Sequence, residues 1–141
     1  ATTNFNMFWK SLRPLLADNT SALAKLDMIR EGFGEAMRSE VEQMWAKKLG
    51  LAQYESALVQ EVLQLMFAAK ADYTIFFRNL SHIPNQIDSL KESFYAHSSE
   101  ELDTKLNEWL QRWRAHIEHE GDIEATSTAM KRVNPKYAWR D

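Results

Sequence analysis

Cysteine is missing from all 141 residues, which removes disulfides, thiolate metal sites and cysteine nucleophiles from consideration. That fits a reducing compartment without requiring one. Glycine and proline are scarce, at 4 and 3 residues, so long regular elements are expected rather than a turn-rich β fold. No apolar run is long enough to cross a bilayer. Neither sign of charge dominates: the net charge is −3 with the signs interspersed, which gives no electrostatic footprint for nucleic acid or an anionic membrane. Gly-x-Gly-x-x-Gly, Gly-x-x-x-x-Gly-Lys and Gly-x-Ser-x-Gly are absent as well, so neither a phosphate-cradling loop nor a nucleophile elbow is visible.

What the chain does have is helical periodicity and aromatic bulk. Hydrophobic residues make up 45% and aromatics 11%, with 5 Trp, ordinary for a soluble globular protein but heavy in large rings. The clearest segment begins at Asp72. Its carboxylate is placed to cap a helix N-terminus, and Tyr73, Phe76, Phe77 and Leu80 recur at spacings of three and four behind it. Ser81 and Pro84 mark the stop. A helix this short needs other helices to bury that face.

In chain order, Phe5, Phe8, Trp9, Leu12, Leu15 and Leu16 form a first apolar stripe, which Pro14 should bend or end. A second runs from Ser21 through Leu23, Leu26, Ile29, Phe33, Met37, Val41, Met44, Trp45 and Leu49. Gly32 and Gly34 weaken its middle by about 1 kcal/mol each, so a kink is expected there. Lys47, Lys48 and Gly50 read as its C-terminal end. A third helix from about Tyr54 carries Leu58, Val62, Leu65, Met66 and Ala69. Ile87, Leu90 and Phe94 give a short amphipathic helix. Ser98 with Glu101 reads as a capping box opening a helix lined by Leu102, Leu106, Trp109, Leu110, Trp113 and Ile117, ending at Gly121. Another helix is expected from Asp122 to Arg132. Asn134-Pro135 reads as a fresh start, Asn as cap and Pro at the first helical position. The whole predicts an all-α fold: one region over residues 1–141, an irregular bundle of about six to seven helices.

Candidate chemistry is thin. His116 and His119 lie one helical turn apart beside Glu118 and Glu120, a spacing seen at metal sites, but no third ligand sits at a fixed distance. No His has a Glu three positions earlier, which excludes the di-iron pattern of ferritin-like bundles. Glu100, Glu101 and Asp103 crowd a helix N-terminus, where the dipole favours them. Lys131, Arg132, Lys136 and Arg140 are scattered around a helix break. Arg78, set between aromatics, is expected to pair with a buried acid or stack on a ring in a structural role. No residue is assigned a catalytic, cofactor-binding or metal-binding role.

Several blocks, in order, resemble the selenoprotein O family (called YdiU in bacteria), protein adenylyltransferases with a kinase fold. Asn6-Met7-Phe8-Trp9-Lys10-Ser11-Leu12-Arg13-Pro14-Leu15-Leu16 resembles that family's Trp-containing helix with its Leu-Pro-Leu-Leu type turn. Lys48-Leu49-Gly50-Leu51, after Phe33 and Met37, resembles the close of its long helix. Asp72-Tyr73-Thr74 with Phe77-Arg78-Asn79-Leu80-Ser81 matches its Asp-Tyr-Thr block. Trp109, Trp113 and Arg114 fall where the family has a Trp-then-Tyr-Arg helix. Met130-Lys131-Arg132-Val133-Asn134-Pro135-Lys136-Tyr137, then Trp139-Arg140-Asp141, resembles its Val-Asn-Pro block.

The resemblance implies the C-terminal helical part of a protein-kinase-like fold, in a protein that moves AMP from ATP to Ser, Thr or Tyr hydroxyls with Mg²⁺ or Mn²⁺. It places the nucleotide and metal site upstream of the Trp helix, and a Cys or selenocysteine beyond Asp141. The implied partners are the N-terminal kinase-like lobe of the same protein and protein substrates, with no nucleic acid and no membrane. The implied compartment is cytoplasmic in a bacterium, mitochondrial in a eukaryote. Tyr137 and Trp139, opening an aromatic helix just before Asp141, lead to the expectation of a fragment. A stand-alone helical interaction module is the alternative: it predicts one docking groove, whereas a fragment predicts exposed Trp or Phe near the chain ends.

Overall fold

The computed structural model describes residues 2–135. They hold seven α-helices, a 3₁₀ turn and one isolated antiparallel bridge, Ala71 with Phe94, so the fold is all-α. The helices are α1 (Thr2–Leu12), α2 (Thr20–Leu49), α3 (Ser56–Ala69), α4 (Tyr73–Leu80), α5 (Asp88–Lys91), α6 (Glu100–Glu120) and α7 (Ile123–Val133); the 3₁₀ turn is Arg13–Leu16. They fall into two compact units, Ala1–Glu42 and Gln43–Asp141, with α2 contributing to both.

The first unit is a helical hairpin. Pro14 ends α1 as expected: it sits at the start of the 3₁₀ turn, where a missing N–H costs nothing. Asn19 then opens α2, its side chain accepting from the Ala22 N–H at 3.0 Å, and α2 runs as one helix through Gly32 and Gly34. The hairpin closes through Phe5 stacked on Phe33, with ring centroids 3.9 Å apart. Beside them, the guanidinium groups of Arg13 and Arg30 lie over the Trp9 ring at 5.0 and 4.4 Å. The apolar stripe of α1 and the 3₁₀ turn is only partly covered: Trp9 is buried, whereas Phe8 and Leu15 are 60% and 79% exposed.

The second unit has an extensive core. α6 runs through it with Leu106, Trp109, Leu110, Trp113 and Ile117 all buried. The two indoles stack nearly parallel at 5.8 Å. Each N–H finds a buried carbonyl, Trp109 on Leu58 at 2.9 Å and Trp113 on Leu49 at 2.8 Å, which satisfies the one polar atom of a large apolar ring. Phe76, Phe77 and Leu80 of α4, with Leu49, Val62 and Leu90, complete the cluster.

Local signals set most boundaries. Asp72 accepts from the Ile75 N–H at 2.9 Å and caps α4. α2 and α3 both end through left-handed residues, Gly50 at φ 66 and Lys70 at φ 50. Glycine is required at the first: a Cβ there would lie 2.7 Å from Met130 Sδ and from Thr126 Cγ2. The α6 cap differs from expectation. Ser99, not Ser98, accepts from the Leu102 N–H. The Ser98 hydroxyl instead joins Lys91 on the Asp103 carboxylate, and Glu101 pairs with Lys105 rather than reaching back. Asp103, one turn into the helix, outcompetes the cap for Ser98, which shifts the start by one residue. The segment around Ile87, Leu90 and Phe94 forms a single helical turn, Asp88–Lys91.

Candidate functional site

A concentrated polar arrangement lies where the C-terminal ends of α2, α4 and α7 meet. Each helix brings unsatisfied carbonyls and the negative end of its dipole to that place. Asn134, 2% exposed, ties them together. Its side-chain amide donates to Lys48 O of α2 at 2.9 Å and to the Ser81 hydroxyl after α4 at 3.1 Å. Its Oδ1 accepts from Lys48 Nζ at 3.2 Å. Its backbone N–H closes α7 on Met130 O.

Ser81 and Arg78 complete the junction. The Ser81 hydroxyl donates to Phe77 O at 2.7 Å, and Ser127 donates to Ser81 O at 2.6 Å. The Arg78 guanidinium donates to Lys131 O and Asn134 O, both at 3.2 Å. The sequence led to the expectation of a carboxylate or a ring as its partner; the end of α7 supplies carbonyls instead. Three negative helix ends are a sufficient electrostatic reason for two cations here. Among the described residues neither Lys48 nor Arg78 makes a salt bridge.

Lys48 lies over the rings of Tyr73 and Phe77, at 5.1 and 5.4 Å, a favourable setting for an ammonium group against aromatic faces. Burial holds its pKa below the ordinary 10.5 and raises that of Tyr73. Partial desolvation first, then the charges of Lys131 and Arg78, lower that of His82. The hydroxyls and amides at the junction are engaged with carbonyls or with one another. Among the described residues these bonds tie the ends of α2, α4 and α7 to one another.

The other candidates lie apart from this junction. His116 and His119 are exposed on α6; Glu118 takes the Arg114 guanidinium and Glu120 accepts from the Ala52 N–H. Among the described residues no group of three or more His, Cys, Asp or Glu is placed to hold a metal ion. Glu100, Glu101 and Asp103 occupy the first turn of α6. Hydrogen bonds from Lys91 and Ser98 lower the Asp103 pKa, and one from Lys105 lowers that of Glu101. Lys131 offers its carbonyl to Arg78 and Arg132 is exposed, while Lys136 and Arg140 lie outside the described residues, as does any helix opening at Pro135. Sequence reasoning missed Lys48, Ser127 and Asn134 as junction residues. The available signal was that Lys48, Ser81 and Asn134 all fall in the blocks that carried the family resemblance.

Comparison with known proteins bears on those blocks directly. The family described as "Protein adenylyltransferase SelO" matches residues 1–141. The chain is similar to the protein nucleotidyltransferase YdiU of Rhizobium etli strain CIAT 652, at 32% identity over 98% of this chain and 28% of that protein. It is likewise similar to the proteins of that name from Albidiferax ferrireducens, at 30% over 94% of this chain and 26% of the relative, and from Mycolicibacterium paratuberculosis, at 32% over 98% and 28%. It thus spans about a quarter of the length of the relatives it matches. No solved structure matches. Among the described residues no helix is long and apolar enough to cross a membrane. With the match running the length of the chain, and with motif residues from three of the resembling blocks meeting at Asn134, the protein belongs to the SelO family of protein adenylyltransferases.

Proposed function

We propose that this chain is the helical support of a SelO-type protein which, as a whole, transfers AMP from ATP to Ser, Thr or Tyr hydroxyls of protein substrates. It supplies none of the reacting groups. The observation that carries this reading is the use made of the motif residues: Lys48, Arg78, Ser81 and Asn134 are all engaged in joining three helix ends. In the proposed reaction the substrate hydroxyl oxygen attacks the α-phosphorus of ATP in line. An O–P bond forms, the bond to the bridging oxygen breaks, and pyrophosphate leaves with the electron pair; the hydroxyl proton passes to a base or to solvent. The described residues do not fit Mg²⁺ or Mn²⁺, having no suitable donor cluster, and no step is assigned to a metal here. A kinase-like lobe outside this chain would hold nucleotide and metal, and these helices would pack against it.

Exposed Phe8 near the N-terminal end supports this reading. A groove beside Phe67 supports a second, in which the helices form a self-sufficient module docking a partner. Asn134→Ala in the complete protein separates them. The first reading expects AMP transfer to fall with the folded fraction while KM for ATP is unchanged; a KM that rises in fully folded protein contradicts it. The module reading expects no dependence of AMP transfer on Asn134.

A further inference from the structure

We propose that the aromatic groove between α3 and the start of α4 seats an apolar segment bearing a carboxylate, supplied by a part of the same polypeptide outside residues 1–141. This rests on the reading of the chain as one region of a longer SelO-type protein. The groove encloses about 550 Å³ and is lined chiefly by Leu63, Met66, Phe67, Tyr73 and Tyr95, with Lys70 at its edge. Met66 belongs to the core and Leu63 packs against it. The three rings face outward: Phe67 is 88% exposed, Tyr95 76% and Tyr73 42%. One exposed ring is ordinary on a protein surface, but three around a single groove mark a contact surface.

The groove is already formed. Backbone bonds from Asp72 N to Ser93 O at 2.7 Å and from Tyr95 N to Lys70 O at 3.2 Å join its two sides. The Tyr95 hydroxyl donates to Asp72 at 2.9 Å, and Tyr73 leans on Phe77 with ring centroids 4.8 Å apart. An occupant therefore meets two tyrosine rings whose positions are set beforehand, which lowers the entropy cost of docking.

Charge and length select the occupant. Among the described residues Lys70 is the one ionic residue lining the groove, and it makes no salt bridge there. It also holds a left-handed backbone, φ 50, where glycine is the easier residue. A carboxylate opposite Lys70, flanked by apolar side chains, completes the site. A second copy docked through a two-fold would set Lys70 against Lys70, an unfavourable arrangement. The matched relatives are far longer, this chain spanning 28% of the Rhizobium etli protein, and under that reading further chain of the same protein would fill it.

The test is hydroxyl-radical footprinting of Phe67 and Tyr95 in the complete protein and in residues 1–141, with sedimentation to establish the mass of each. The expected result is labelling about ten-fold lower in the complete protein, as for a residue passing from exposed to buried, at monomer mass. Equal labelling in both overturns the proposal, as does protection confined to a dimer. Phe67→Asp and the milder Phe67→Ala give a second readout: both lower the Tm of the complete protein and leave that of residues 1–141 unchanged, and no shift in either overturns it. AMP transfer measured alongside separates the two ideas. Unprotected rings with transfer intact defeat the groove alone; protected rings with no transfer defeat the functional reading alone.

Discussion

The hairpin of residues 2–42 and the bundle that begins at Gln43 use the same kind of sequence to different effect. Both show apolar residues at helical spacing, and both form helices. Yet among the described residues Trp9 is the sole buried apolar side chain before Ala46, whereas α6 alone buries Leu106, Trp109, Leu110, Trp113 and Ile117. The two regions also treat their indoles differently. Trp109 and Trp113 donate to Leu58 and Leu49; the buried Trp9 N–H has no partner among the described residues, and its ring is covered by arginines. Periodicity reports that a helix forms, while burial depends on how many other elements converge on it.

The largest effect is expected from Trp113→Ala, which empties the centre of the bundle and leaves Leu49 O without its donor. It should cost about 3–5 kcal/mol, read from urea denaturation. Asn134→Ala should follow at about 2–3 kcal/mol, since it strips hydrogen bonds from Lys48 O and the Ser81 hydroxyl at a buried site. Amide exchange at the ends of α2, α4 and α7 should rise together; a rise in α7 alone would show that the three ends are not coupled.

Trp9→Ala sharpens the contrast. It should cost only about 1 kcal/mol, because the arginines that cover the ring reach solvent and the change also removes an unpaired buried N–H. A loss matching Trp113→Ala would mean the hairpin has a core of its own. The smallest effect is a gain. Gly32→Ala and Gly34→Ala should each stabilise α2 by about 0.4–1 kcal/mol, since a Cβ at either meets nothing within 4 Å. Helicity measured by circular dichroism should rise, and a fall would point to a bend in α2 that needs glycine.

What could be read in advance divides along the same physical line. Asp72 capping α4, Pro14 ending α1 and Gly50 ending α2 are decided within a few residues, and each was legible. The α6 cap was misplaced by one position because Asp103 drew Ser98 away from the backbone. Asn134 before Pro135 reads locally as the start of a helix, which lies outside the described residues; that its side chain serves Lys48, 86 positions earlier in the chain, leaves no local trace. Arg78 was legible as structural, but its partners are carbonyls 53 and 56 positions away, and no local pattern marks a carbonyl as unsatisfied. The long-range polar joins are not legible in the sequence, although Lys48, Ser81 and Asn134, which meet in space, each fall in a block of the family resemblance.

Under the proposed function, these helices support a catalytic protein and carry none of its chemistry. Titration calorimetry of residues 1–141 with ATP, in the presence of Mg²⁺ and then Mn²⁺, tests it most directly. The account predicts no heat of binding with either metal ion; tight, metal-dependent binding of ATP would contradict it.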